Sequence, residues 1–197
     1  MSRITGIVLL AALVAVPAHA ARFVIAPGEG NLVQFESKAK IETFTGRTSQ
    51  VEGSVELDPA QLGDSIAVNV VVNIASLDTG IGLRNKHMCD NHLDCAKFPK
   101  ATFTGCRLAK ASAATLVPGQ KTSFELSGIF DLHGVTQPLT VPVEVTLVES
   151  SGGRHLEITT KFSVSLADFQ IARPKMLVLK LNDVQQVTVK LIARAAK

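Results

Sequence analysis

Apolar and polar residues alternate at every second position through almost the whole chain, and this pattern constrains the fold more than any other feature. A strand sends successive side chains to opposite faces, so a period of two marks a sheet with one buried and one solvated face. Val33, Phe35, Ser37, Ala39 and Ile41 share one side of a first strand. Val51, Gly53, Val55 and Leu57 alternate with Glu52, Ser54, Glu56 and Asp58. Val68, Val70, Val72 and Ile74 follow, with Val71 on the polar side. Phe124, Leu126, Gly128, Phe130 and Leu132 alternate with Ser123, Glu125, Ser127 and Asp131, and Leu139, Val141, Val143, Val145 and Leu147 form the next run. Leu156, Ile158, Thr160, Phe162 and Val164 come next, then Leu177, Leu179 and Leu181, and finally Val187, Val189 and Leu191. Turn residues separate the runs at His133–Gln137, Ser150–Gly153 and Asn182-Asp183. Asp58-Pro59-Ala60-Gln61-Leu62 is predicted to form one helical turn, with Asp58 as N-cap and Pro59 in the first helical position.

The N-terminus reads as a targeting segment. Arg3 precedes an uninterrupted apolar run of ten residues, Ile7 to Val16, and Ala18-His19-Ala20 fits a small-x-small cleavage site. Ten residues are too few to cross a bilayer, which needs about 20. The expectation is a secreted, non-membrane-spanning protein cleaved near Ala20, leaving a single domain over residues 21–197. Without Arg3 the chain has 19 basic and 17 acidic side chains and no basic block, and it lacks Trp and Tyr. Both features argue against nucleic acid as a partner. About eight antiparallel strands of this kind make a sandwich or a closed barrel, and a barrel of that size is filled by its own side chains or holds one small ligand.

Ser76 to Met88 (SLDTGIGLRNKHM), followed by Leu93, Lys97-Phe98-Pro99 and Ala101-Thr102-Phe103, resembles the YceI-like family of lipid- and polyisoprenoid-binding proteins. Three more segments are similar to that family in the same order. They are Phe44-Thr45-Gly46-Arg47 with Gly53, Gly128–Pro138 (GIFDLHGVTQP), and Leu166–Ile171 (LADFQI), where Gln170 stands in place of the family's glycine. The resemblance implies an all-β, lipocalin-like antiparallel barrel of about eight strands with one or two short helices. It further implies an apolar tunnel for an isoprenoid, quinone-like or fatty-acyl chain, residence in the periplasm, and a binding role without catalytic residues or cofactor. The partner is then a long-chain apolar small molecule, and the protein a monomer or homodimer. The inward set supplies the candidate lining: Phe35, Val70, Val72, Phe103, Leu126 and Phe130 on the earlier strands, and Val143, Val145, Phe162, Val164 and Leu179 on the later ones.

His87, Cys89, His92 and Cys95 lie within nine residues and admit two readings. Imidazole and thiolate are usual zinc and copper ligands, which would suit a metal- or redox-linked stress protein. The spacing is not Cys-x-x-Cys, however, and no single helix face gathers all four, so no metal site is assigned. The other reading is a disulfide, which an oxidising compartment permits. In an unbroken helix the Cα atoms of Cys89 and Cys95 would be about 9–10 Å apart, beyond the roughly 7 Å that a bridge allows. The pair can close only if the helix ends by about Leu93. Cys106 is then the odd thiol, placed by alternation on the face opposite Phe103. Arg84 is either a mouth residue meeting an anionic headgroup or a loop ion-pair partner of Asp78, Asp90 or Asp94. His133 is either a second mouth residue or a turn residue bonded to a backbone carbonyl.

Overall fold

The computed structural model describes residues 20–38, 43–63, 66–173, 175–176 and 179–196. The predicted targeting segment lies outside these residues, as do Ala39, Ile41 and Leu177 and the side chain of Leu179. The strands are β1 (Ala21–Ile25), β2 (Leu32–Lys38), β3 (Thr43–Thr48), β4 (Val51–Leu57), β5 (Ala67–Asn73), β6 (Lys100–Ala111), β7 (Lys121–Leu132), β8 (Val135–Ser150), β9 (Gly153–Ser165), β10 (Lys175–Met176), β11 (Leu179–Lys180) and β12 (Val184–Ala195). The one α-helix among the described residues, α1, spans Gly82–Met88.

Eight strands close into an antiparallel barrel in the order β1-β4-β5-β6-β7-β8-β9-β12, with β12 pairing back to β1. Strand β12 makes the closure. One edge pairs with β9 from Val184 to Arg194. Its other edge pairs with β2 from Gln186 to Lys190 and with β1 at Arg194 and Ala195. Strand β2 carries β3 as an outer flap, whose free edge is bridged at Arg47 to Asp78. The alternation predicted from sequence sets the faces. In β7, Thr122, Phe124 and Leu126 are buried while Lys121, Ser123 and Glu125 are exposed. In β8, Val141, Val143, Val145 and Leu147 point inward.

Two local expectations are corrected. Residues 58–62 form a turn and not a helix. The Asp58 side chain accepts the Ala60 N–H, as an N-cap would, but Leu62 N–H donates to Ala114 O at 2.7 Å, away from any helical ladder. Cys106 also faces inward. Gly105 takes a left-handed φ of 63°, and the β6–β7 register shifts between Thr104 and Arg107. This bulge inserts one extra residue and resets the alternation beyond it. Phe103 and Cys106 thus both lie against Gly128, where an added Cβ would sit 2.9 Å from each.

Two loops cross one end of the barrel. The loop after β4 and the loop after β6 are laced by Leu62 N–H to Ala114 O and by Leu116 N–H to Pro59 O, 2.8 Å. Leu62, Ile66 and Leu116 are buried there, packed with Leu57, Leu147 and Leu156. The opposite end carries a cap built from residues 74–99. A 3-10 turn at Ile74–Ser76 leads to α1, which runs on into a π-type turn at Cys89–Leu93. Asp94 stops the helix with a left-handed φ of 44°, and its N–H returns to Cys89 O. That stop brings the Cα atoms of Cys89 and Cys95 to 5.0 Å, and the two are disulfide-bonded. Cys106 is the free cysteine, and burial pushes its thiol up to about 11.

Phe23, fully buried, is the side chain at the seam, opposite Val55 on β4 and Ala195 on β12. Replacing a buried Phe by Ala costs about 3–5 kcal/mol. Phe23→Ala is therefore expected to lose that much in urea denaturation, whereas Val24→Ala, on the solvent face of the same strand, changes stability by less than about 0.5 kcal/mol. Thiol titration of the unfolded, unreduced protein is expected to find one free thiol, and three after reduction. In the folded protein Cys106 resists alkylation at pH 8. Its raised pKa contributes stability that is complete below pH 9.0 and is lost as the pH rises through about 11.

Candidate functional site

The inward faces of the strands do not fill the barrel. They enclose a cavity of ≈ 220 Å³ to which all eight barrel strands and β2 contribute. Val, Leu, Ile, Phe and Ala make nearly all of its wall, and the polar lining residues are Thr102, Thr160 and Gln185. On β7 its lining runs from Phe124 to Leu132. Eight residue steps at about 3.3 Å, inclined by roughly 40° to the barrel axis, give a depth of about 20 Å. The deep end is the laced floor, where Leu57 and Leu156 are 2% and 0% exposed. The shallow end lies under the cap, at Ile74, Leu77, Leu93, Leu132, Leu166 and Ile171.

Val70, Val72, Phe103, Leu126, Phe130, Val143, Val145, Phe162 and Val164 all line this cavity. Phe35 does not, which corrects its assignment. Its ring packs edge-to-face with Phe44 at 6.1 Å and lies over Gly46, where a Cβ would come within 2.2 Å of it. The cause is the flap. On β2, which carries the β3 flap, Phe35 packs with Ile74, Leu77 and Ala101 under the cap. The sequence pattern did not nominate Leu93 and Ile171, which reach the cavity from the cap and from the segment after β9. Neither sits on a strand, so alternation carries no signal for them.

The cap is anchored by the Asp78–Asn85 stretch. Asp78 exchanges two backbone hydrogen bonds with Arg47, both 2.9 Å, and its carboxylate accepts from Asn85 Nδ2 and Gly80 N–H. Those last two bonds hold the Asp78 carboxyl below its usual pKa, Asn85 having the larger effect. Asn85 Oδ1 in turn accepts from the Thr79 N–H and hydroxyl. Arg84 donates from Nε to the Thr79 hydroxyl and from Nη2 to its carbonyl, both 2.9 Å, and its guanidinium lies 4.4 Å above the Phe44 ring. Arg84 thereby clamps α1 to β3. His133 and Gly134, at φ 56° and 72°, form a two-residue hairpin turn between β7 and β8, tighter than the His133–Gln137 loop predicted. The His133 ring meets Phe98 edge-to-face at 4.7 Å, and its Nδ1 lies 3.1 Å from Phe169 O.

The Cys/His cluster resolves into separate roles. Cys89 and Cys95 are joined to each other, so neither sulfur is a thiolate ligand. His92 Nδ1 lies 2.8 Å from Ala172 O and ties the cap to the segment after β9. Among the described residues no group of three or more His, Cys, Asp or Glu side chains converges on one point.

Comparison with known proteins agrees with this architecture. The model of the YceI-like domain matches residues 23–193. A UPF0312 protein of Vibrio campbellii is 30% identical over 169 residues, covering 82% of this chain and 85% of its own. Protein YceI of Salmonella newport is 30% identical over 129 residues, 60% of this chain and 63% of its own. Among solved structures, a polyisoprenoid-binding domain from Saccharophagus degradans superposes with a TM-score of 0.68 at 20% identity, over 90% of this chain and 100% of that one. BcnA of Burkholderia cenocepacia gives a TM-score of 0.63 at 19% identity, over 82% and 95%. With its barrel, its cap motif and this match over nearly all the described residues, the chain belongs to the YceI-like family.

Proposed function

We propose that the protein is a periplasmic carrier that holds one long apolar chain, isoprenoid, quinone-like or fatty-acyl, inside its barrel. One observation carries this reading: an almost wholly apolar cavity with two loops laced across one end and the cap at the other. Each CH₂ moved from water into such a lining contributes about 0.8 kcal/mol, so affinity comes from chain length and needs no polar code. A depth of about 20 Å accommodates a chain of the kind that crosses one leaflet, roughly half of a ~30 Å hydrocarbon core. The volume of ≈ 220 Å³ lies below the ~300–1,000 Å³ of ordinary drug-sized sites. It favours one chain over a two-chain lipid.

The family relationship and the polyisoprenoid-binding description of the Saccharophagus degradans domain support the same class of ligand. The apolar run at Ile7–Val16 with Ala18-His19-Ala20 supports export to the periplasm. The role is binding and not catalysis. The polar lining groups, Thr102, Thr160 and Gln185, do not titrate near neutral pH and offer no acid–base pair. Arg84 and His133 stand at the capped end as the candidate headgroup contacts. Both already hold internal partners, so ligand choice rests mainly on the shape and length of the lining.

Solvent extraction of the purified protein, followed by mass spectrometry, is expected to release a single-chain apolar lipid. A protein that yields none and takes up no cis-parinaric acid would overturn the reading. Across a series of saturated fatty acids the affinity is expected to rise about three- to fourfold per added CH₂ and then level off once the chain reaches the floor. Val70→Phe, which adds bulk within the cavity, is expected to weaken cis-parinaric acid binding about tenfold, about 1.4 kcal/mol, while the circular dichroism spectrum stays unchanged.

A further inference from the structure

We propose that the Cys89–Cys95 bridge is a redox latch on the cavity, holding Leu93 in its mouth until a dithiol reduces it. The inference rests on the carrier reading and adds regulation to the same site. Leu93 is the one residue between Asp78 and Pro99 that lines the cavity, and it also packs in the two apolar clusters that meet at this end. It lies inside the loop that the bridge closes. The Asp94 and Cys95 N–H groups both return to the Cys89 carbonyl, so the covalent bond locks the turn that aims Leu93 downward.

This part of the cap is shallowly packed. Neither α1 nor the π-type turn contains a fully buried side chain. A helix this short is marginal by itself. The Asp78–Asn85 network anchors the start of α1, at the far side from Leu93. At the Leu93 side the holds are the bridge, the His92–Ala172 contact, the Lys97 and Phe98 N–H bonds to Asp94 O, the buried Cys95 side chain, and the partial burial of Met88, Cys89 and Leu93 against the clusters below. Segments with few buried contacts open locally before the rest of a fold does. Loss of the bridge therefore raises the open population of this turn and not that of the barrel.

The chemistry is thiol–disulfide exchange. Cys89 is half-buried and Cys95 is buried, so a thiolate of the dithiol attacks Cys89 Sγ. The S–S bond breaks and Cys95 leaves as a thiolate that takes up a proton. The second thiol of the reductant then displaces Cys89, which is also protonated. Two electrons and two protons pass from the dithiol to the bridge, and the reductant leaves as its own disulfide. Cys106, buried against Gly128 on the barrel wall, takes no part.

The test compares oxidised protein, dithiothreitol-reduced protein and Cys89→Ser/Cys95→Ser. Amide hydrogen exchange, with no ligand present, is expected to speed up on the order of tenfold or more at residues 85–95 in both unbridged forms, the loss expected for a staple across so short a loop. Exchange in β7 to β9 is expected to stay constant. With cis-parinaric acid loaded, its transfer to phosphatidylcholine vesicles is expected to accelerate by a similar factor. Unchanged exchange at residues 85–95 overturns the latch whether or not the protein takes up the probe, and faster exchange with an unchanged transfer rate overturns it as a gate. Failure of every form to take up the probe, with the exchange result intact, overturns the carrier reading instead.

Discussion

Everything in this molecule depends on β12 being hydrogen-bonded along both edges. A sheet with one apolar face must cover that face or bend it closed, and unpaired edges invite association. Strand β12 closes the barrel by joining β9 on one side and both β1 and β2 on the other. Closure turns every inward residue toward a common axis. Because Val and Leu dominate those positions, and few large rings join them, the eight strands enclose more space than their side chains occupy. The cavity is thus a by-product of the same alternation that closes the barrel.

The sequence shows the barrel better than its ends. Inside strands, alternation places Val70, Leu126, Val143 and Phe162 correctly, because a period of two leaves no choice of face once one residue is fixed. It misplaces Cys106, because one left-handed glycine adds a residue that no pattern marks. Phe35 fails for a different reason: its face is right, but the flap takes it out of the ring and under the cap. Leu93 and Ile171 were invisible, since their positions follow from how connections fold over the barrel. Gln170 takes a left-handed φ of 55°, so the turn survives the loss of the family's glycine there.

The cap motif has a structural meaning that its conspicuous cysteines and histidines obscure. Leu77-Asp78-Thr79-Gly80, Arg84 and Asn85 form a hydrogen-bonded knot that joins α1 to the flap strand. Phe98 and His133-Gly134, distant in sequence, meet edge-to-face, with the Phe98 ring so close to Gly134 that a Cβ there would lie 2.4 Å from it. These residues keep the barrel's upper rim in register with the helix above it. Among them, the Cys89–Cys95 bond secures the part of the cap that touches the cavity.

The laced floor has one more consequence. Leu62 N–H to Ala114 O and Leu116 N–H to Pro59 O tie two loops across the lower end, while the other end carries the cap. In the proposed carrier, a guest with one polar end goes in tail first and comes out head first. On that proposal, topology sets the orientation of the guest before any side chain contacts the head, and whatever receives it meets the same end.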